Sequence, residues 1–242
     1  MAFVKYKNRY IKLRDNFCYL ENTLYFKSFS KLTEFLNEND FDKVVIIVRH
    51  SMRPSNDWSP NVALTDLGIS YAEMAGEQLM SLPGLIDYYA TDTRRTKETA
   101  YYISQGREDN IIKRLDDVLP MGNMKNPDYI KNSSKYEQYT KTYGYNQVWY
   151  RYCYNNEFLD AFKDIAQESN AFVNTAFAYT TKKQNLIISH DQSIIPLVVY
   201  LTNKKVNFIG RWLNFISGIA IIEKNSEKIA IPVTGLPSGF KY

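Results

Sequence analysis

Apolar runs separated by helical patterns organise this chain. Residues 43–48 (KVVIIV) are β-branched and apolar from Val44 onward, which predicts a strand buried on both faces in a sheet covered by helices. Residues 85–91 (LIDYYAT) predict a second strand, and residues 186–189 (LIIS) another buried one. Between and after them the period changes. Residues 65–81 predict a helix with Leu67, Tyr71, Met74, Ala75 and Leu79 on its buried side. Residues 95–105 predict a second helix, and DQSIIPLVVYLT after Ser189 and His190 a third. SKLTEFLNEND predicts a helix ahead of the first strand, with Ser30 as its N-cap. Residues 218–233 carry two apolar runs around a polar turn and predict a hairpin. Strands alternating with helices imply a layered α/β domain. Residues 107–182 break the alternation with a polar, tyrosine-rich, helical stretch, which reads as a helical cap insertion in a single domain spanning residues 1–242.

Composition changes this picture little. Of 242 residues, 45% are hydrophobic and 23% charged, as in a globular protein with a sizeable core. A net charge of +4 suits an anionic small-molecule ligand, but no Lys/Arg block is dense enough for nucleic acid. The longest apolar run, Ile194 to Leu201, falls far short of the roughly 20 residues a bilayer requires, so no membrane partner is expected. The start of the chain shows basic residues and no apolar core of a signal peptide. A cytoplasmic location is therefore expected as written, with a secreted or periplasmic one if a leader has been removed. Cys18 and Cys153 cannot build a disulfide framework. Nothing in the composition fixes an oligomeric state.

The chemistry gathers at the histidines. The chain has two, and each stands one step beyond a buried strand: His50 after VVIIVR and His190 after NLIIS. In open α/β sheets the carboxyl edge of the strands is where ligands bind. Arg49 and Arg53 flank His50, a setting that holds an imidazole neutral, as a nucleophile requires. Guanidinium groups also match phosphate oxygens in bidentate fashion. Histidine, cysteine and acidic residues do not cluster at metal-ligand spacings, and no metal or other cofactor is expected. Neither cysteine has an arginine six residues on, and G-x-S-x-G and G-x-x-x-x-G-K-[ST] are absent, which sets aside cysteine phosphatases, serine hydrolases and P-loop enzymes.

RHSMRP (49–54) resembles the RHG-x-R-x-P signature of the histidine phosphatase superfamily, with Ser51 where the family has glycine. Trp58 with ALTDLG (63–68) resembles its W…LT-x-x-G segment, and TRRTKETA (93–100) its R-T-x-x-T-A helix start. SHD (189–191) and WLNFISGIAIIE (212–223) resemble segments of the histidine acid phosphatase branch. The resemblance implies a three-layer α/β sandwich with a mostly parallel central sheet, the phosphoglycerate mutase-like fold. It further implies a phosphohistidine on His50, phosphoryl oxygens held by Arg49, Arg53, Arg95 and His190, and Asp191 as general acid. In the mutase-like branch the acid instead follows the R-T helix, where RLDD (114–117) offers Asp117 or Asp116. The expected activity is metal-independent hydrolysis of a small phosphate monoester. A phosphotransferase or mutase, and a non-catalytic phosphate-binding module, are the alternatives. Eight tyrosines and a tryptophan between Asp128 and Tyr154 either pack the cap or stack on a ring in the leaving group.

Overall fold

The computed structural model describes residues 10–12, 17–20, 28–204, 206, 208 and 212–233; residues 1–9, where the sequence reading looks for a leader, lie outside them. Lys43–Arg49, the predicted buried strand, is β3, and Val44 to Val48 are almost wholly removed from solvent. Each such side chain contributes about 1.5–3 kcal/mol of burial free energy. Val44, Ile46 and Val48 face one apolar cluster, while Val45 and Ile47 face another. Both faces are covered because helices lie on both sides. On the first side lie α1 (Phe29–Glu38), α2 (Asp66–Leu79) and α3 (Arg94–Arg107). On the second lie α5 (Tyr145–Asn155), α6 (Ile165–Tyr179) and α7 (Asp191–Leu201). The architecture is the three-layer sandwich expected.

The remaining strands are β1 (Tyr10–Lys12), β2 (Phe17–Leu20), β4 (Ile86–Ala90), β5 (Leu119–Pro120), β6 (Gln184–Ser189), β7 (Gly218–Lys224) and β8 (Glu227–Val233). Among the described residues they form one eight-stranded sheet in the order β1-β2-β8-β7-β3-β6-β4-β5. The pairs β2–β8, β3–β6, β4–β6 and β4–β5 are parallel, and β1–β2, β3–β7 and β7–β8 antiparallel. The predicted hairpin is β7–β8, closed by Asn225 and Ser226 at φ 48° and 65°, the left-handed pair that a two-residue type I′ turn needs. Among the described residues no helix is long and apolar enough to cross a membrane.

Three local expectations change. Helix α1 starts earlier than Ser30: Phe29 is fully buried and begins it, and Ser28 Oγ accepts the Lys31 N–H as the cap. Helix α2 buries Gly68, Ala72, Ala75, Gly76 and Leu79, whereas Leu67 and Met74 stay exposed. Small residues win that face because α2 and α3 touch backbone to backbone. A Cβ on Gly76 would lie 2.1 Å from the Ile103 carbonyl oxygen, and one on Gly106 2.0 Å from that of Glu73. Residues 107–182 are also of mixed kind. β5 extends the sheet, and Phe172, Val173 and Ala176 of α6 pack in the same cluster as Val45 and Ile187. α4 (Ser133–Tyr143) buries none of its residues and is the outermost piece.

The seam between α2 and α3 sets a test. Gly76→Ala is expected to destabilise the protein by about 1–3 kcal/mol through overpacking, read from urea unfolding, and an exposed substitution on the same helix, Met74→Ala, by less than about 0.5 kcal/mol.

Candidate active site

β3 and β6 lie side by side in parallel register with Arg49 opposite Ser189, so His50 and His190 leave the sheet together. Their ring centroids are 5.5 Å apart, with planes inclined by 66°. From His50 the chain passes into α2 on one face of the sheet; from His190 it enters α7 on the other. The connections diverge and open a crevice at the carboxyl edge. A cavity of about 420 Å³ occupies it, lined by Arg49, His50, Arg53, Arg95, His190 and Asp191, with residues 126–130, Trp58, Tyr145, Trp149, Gln192 and Ser193 forming the outer wall. All six residues singled out as the principal site thus meet in one cavity.

His50 is buried, and its Nδ1 lies 2.7 Å from the Ser51 carbonyl oxygen. A carbonyl only accepts, so Nδ1 carries the proton and Nε2 keeps its lone pair. Burial first, and then the Arg49 guanidinium, hold the His50 pKa well below the usual imidazole range; the bond to Ser51 opposes them. His190 Nε2 shares a 3.0 Å hydrogen bond with Thr91 Oγ1, itself one residue past the end of β4. Burial and the Arg95 charge bring the His190 pKa down to about 4, against the opposing pull of Asp191.

Each arginine is braced from the protein side. Arg49 donates to the Leu213 carbonyl at 2.6 Å, lies 4.4 Å over the Phe215 ring and pairs with Asp191 Oδ2 at 3.0 Å. Arg53 donates to the carbonyls of Pro54 and Asp57, and its guanidinium stacks 3.9 Å over Trp58. Arg95 donates to Ser59 O at 3.0 Å. Arg49 Nε and Arg95 Nε are buried donors with no protein acceptor, an arrangement that suits oxygens brought by an anionic ligand.

Asp191 stands in the first turn of α7 and accepts the Trp212 Nε1–H at 2.8 Å on the same oxygen that meets Arg49. Asp117 is placed differently. Its carboxylate accepts the backbone N–H groups of Lys113 and Arg114 at 3.1 and 2.9 Å, which lowers its pKa, and it does not line the cavity. Asp116 lines a neighbouring cavity with Thr91 and Lys97. Ser51 is engaged away from the histidines: its hydroxyl donates to the Gly68 carbonyl at 2.6 Å, and its N–H to Thr99 Oγ1. The sequence reading missed Thr91, Asn126 and the role of Trp212. Thr91 shares the strand-end position that marked the histidines. Asn126, which joins Ser189 and Ser193, comes from a loop with no such signal.

With this geometry in view, comparison with known proteins is decisive on family. The model of the histidine phosphatase superfamily (branch 1) matches residues 45–232. The chain belongs to the histidine phosphatase superfamily. The match runs from β3 to β8 and is to branch 1, so it does not carry the acid phosphatase branch that SHD resembles. Among solved structures, phosphoserine phosphatase from Entamoeba histolytica, in complex with 3-phosphoglyceric acid, is similar at TM-score 0.52 and 16% identity over 78% of this chain and 94% of that one. Phosphoglycerate mutase from Bacillus anthracis is similar at 0.50 and 14%, over 79% and 92%. An open reading frame product of Mycobacterium tuberculosis is similar at 0.50 and 16%, over 81% and 100%. These likenesses show the phosphoglycerate mutase-like fold. No curated protein matches the chain.

The lowered histidine pKa values make stability depend on pH. Below about pH 6.5 an unfolded histidine takes up a proton that the folded His50 and His190 refuse, so stability falls as pH drops from there toward 4. Going from pH 6.5 to 5 is expected to cost about 1–2 kcal/mol per histidine, read from urea unfolding. In a His50→Gln/His190→Gln double variant that loss shrinks correspondingly.

Proposed function

We propose that this member of the superfamily is a metal-independent phosphomonoester hydrolase working through a phosphohistidine at His50. One observation carries the reading: a buried imidazole, locked by Ser51 O into the tautomer that presents Nε2, stands in a cavity with three guanidinium groups. In this reading Nε2 attacks phosphorus as the ester P–O bond breaks, and the leaving alkoxide takes a proton from Asp191. Water then attacks the phosphohistidine, Asp191 accepts the proton, and P–N cleavage returns neutral His50 and inorganic phosphate. Arg49, Arg53, Arg95 and His190 hold the equatorial oxygens throughout.

The bond between Arg49 and Asp191 gives the first step its logic. In the ligand-free cavity Asp191 is a partner of Arg49. A phosphate dianion competes for that guanidinium, and once Arg49 turns to it, Asp191 is released from the ion pair to face the leaving oxygen. The acid is thus readied by substrate. Asp191 is the acid in this reading rather than Asp117, because the latter's oxygens are engaged by its own turn. That favours hydrolysis over the mutase alternative. The direction of the Ser51 hydroxyl, away from the cavity toward Gly68, favours an active enzyme over a decayed binding module. Among the described residues no group of three or more His, Cys, Asp or Glu is arranged to hold a metal.

The test is turnover of p-nitrophenyl phosphate and of an alkyl phosphate, both with EDTA present. Wild type is expected to hydrolyse both, and His50→Ala neither. Asp191→Asn is expected to lose about 10²–10⁴-fold on the alkyl ester and less on p-nitrophenyl phosphate, whose leaving group needs no proton. Asp117→Asn stays near wild type. Turnover by His50→Ala, or a requirement for metal, sinks the reading.

A further inference from the structure

The phosphate cradle fills only the floor of the cavity, and the remaining wall is what a leaving group meets. Besides the arginines the lining includes Trp58, Tyr145, Trp149 and Ile130. Trp58 is the most conspicuous. One face of its indole is covered by the Arg53 guanidinium at 3.9 Å, yet the residue is 77% exposed, at the rim of a polar cavity. Tyr145 is half-buried, braced by Trp212 at 5.1 Å between ring centroids, and its hydroxyl is held by Gln192. Two aromatic side chains of different elements, each backed on one side, therefore border the exit from the cradle.

Charge points the same way. Among the described residues lining the cavity, the cations are Arg49, Arg53 and Arg95, all committed to the floor. The other charged groups of the lining are carboxylates, Asp191, paired with Arg49 at 3.0 Å, and Asp128, with Lys163 3.5 Å away as counter-ion. A second anionic group on the substrate would leave water to face carboxylates and indole, at a cost in desolvation. A flat apolar ring would lose little water and gain two aromatic contacts.

We infer that the substrates of this site are monophosphates whose alcohol carries an aromatic ring and no second negative charge, with Trp58 and Tyr145 as the specificity-determining residues. This rests on the hydrolase reading for turnover, though not for binding. The experiment compares kcat/KM on benzyl phosphate, glycerol 3-phosphate and 3-phosphoglycerate. All three release a primary alcohol whose oxygen sits on a saturated carbon, so differences report recognition rather than leaving-group chemistry. Benzyl phosphate is expected to exceed glycerol 3-phosphate by about tenfold, and 3-phosphoglycerate to be the poorest. Trp58→Ala and Tyr145→Leu are each expected to cut the benzyl-to-glycerol ratio several-fold. Taking the ratio cancels any disturbance of Arg53 or the phosphate cradle.

Equal rates, a preference for 3-phosphoglycerate, or a ratio that neither variant moves overturns the inference. Calorimetric binding of benzylphosphonate and 2-carboxyethylphosphonate separates it from the hydrolase reading. If no ester turns over but benzylphosphonate binds the tighter, the specificity stands and hydrolysis falls. If the carboxylate analogue binds as tightly or better, the specificity falls whatever the rates.

Discussion

The parallel pairing of β3 with β6 is the constraint on which this site depends. The register that sets Arg49 opposite Ser189 delivers two imidazoles to one sheet edge without any contact between them having to hold them there. The pairing is secured below by side chains that see no water on either face, from Val44 to Val48 and from Leu186 to Ile188. One residue of slip would turn every side chain of β3 to the opposite face. It would also move His50 along the edge from His190. Hydrophobic burial, remote from any phosphate, therefore sets the geometry of the polar groups.

Those polar groups are assembled against their own electrostatics. Three guanidiniums around one buried and one partly buried imidazole repel one another, and the fold tolerates them by giving each a backing. Arg49 has Phe215, a carbonyl and Asp191; Arg53 has Trp58 and two carbonyls; Arg95 has Ser59. The imidazoles answer the same field by staying uncharged. Most of the site's charges and dipoles are thus oriented by the fold before a ligand arrives, and the Arg49–Asp191 pair is the contact a ligand would have to rearrange.

Much of this was legible in the sequence, for identifiable reasons. Buried strands announce themselves as apolar runs, and residues just past them are placed by the sheet, so His50 and His190 were found by position, with Arg49 and Arg53 beside His50; Asp191 was singled out by resemblance. Arg95 was found by resemblance to a helix start. Close backbone contact has no hydropathic signature, which is why α2 shows Gly68 and Gly76 inward and Leu67 outward. The stretch 107–182 misled because helices that cover a sheet and helices that stand outside it share a period; only packing tells α6 from α4. Trp212 was visible as a motif letter, but its bond to Asp191 depends on where a distant loop returns.

The placement of tryptophan has an optical consequence. The chain contains three, Trp58, Trp149 and Trp212, and none lies away from the cavity: two line it and the third is bonded to Asp191. Intrinsic fluorescence in this protein is therefore a local signal rather than a global average. Any event that moves Arg53 off the Trp58 indole, or Asp191 off Trp212, alters the surroundings of an emitter directly. The native chain carries its own reporter of what occupies the crevice, with no label attached.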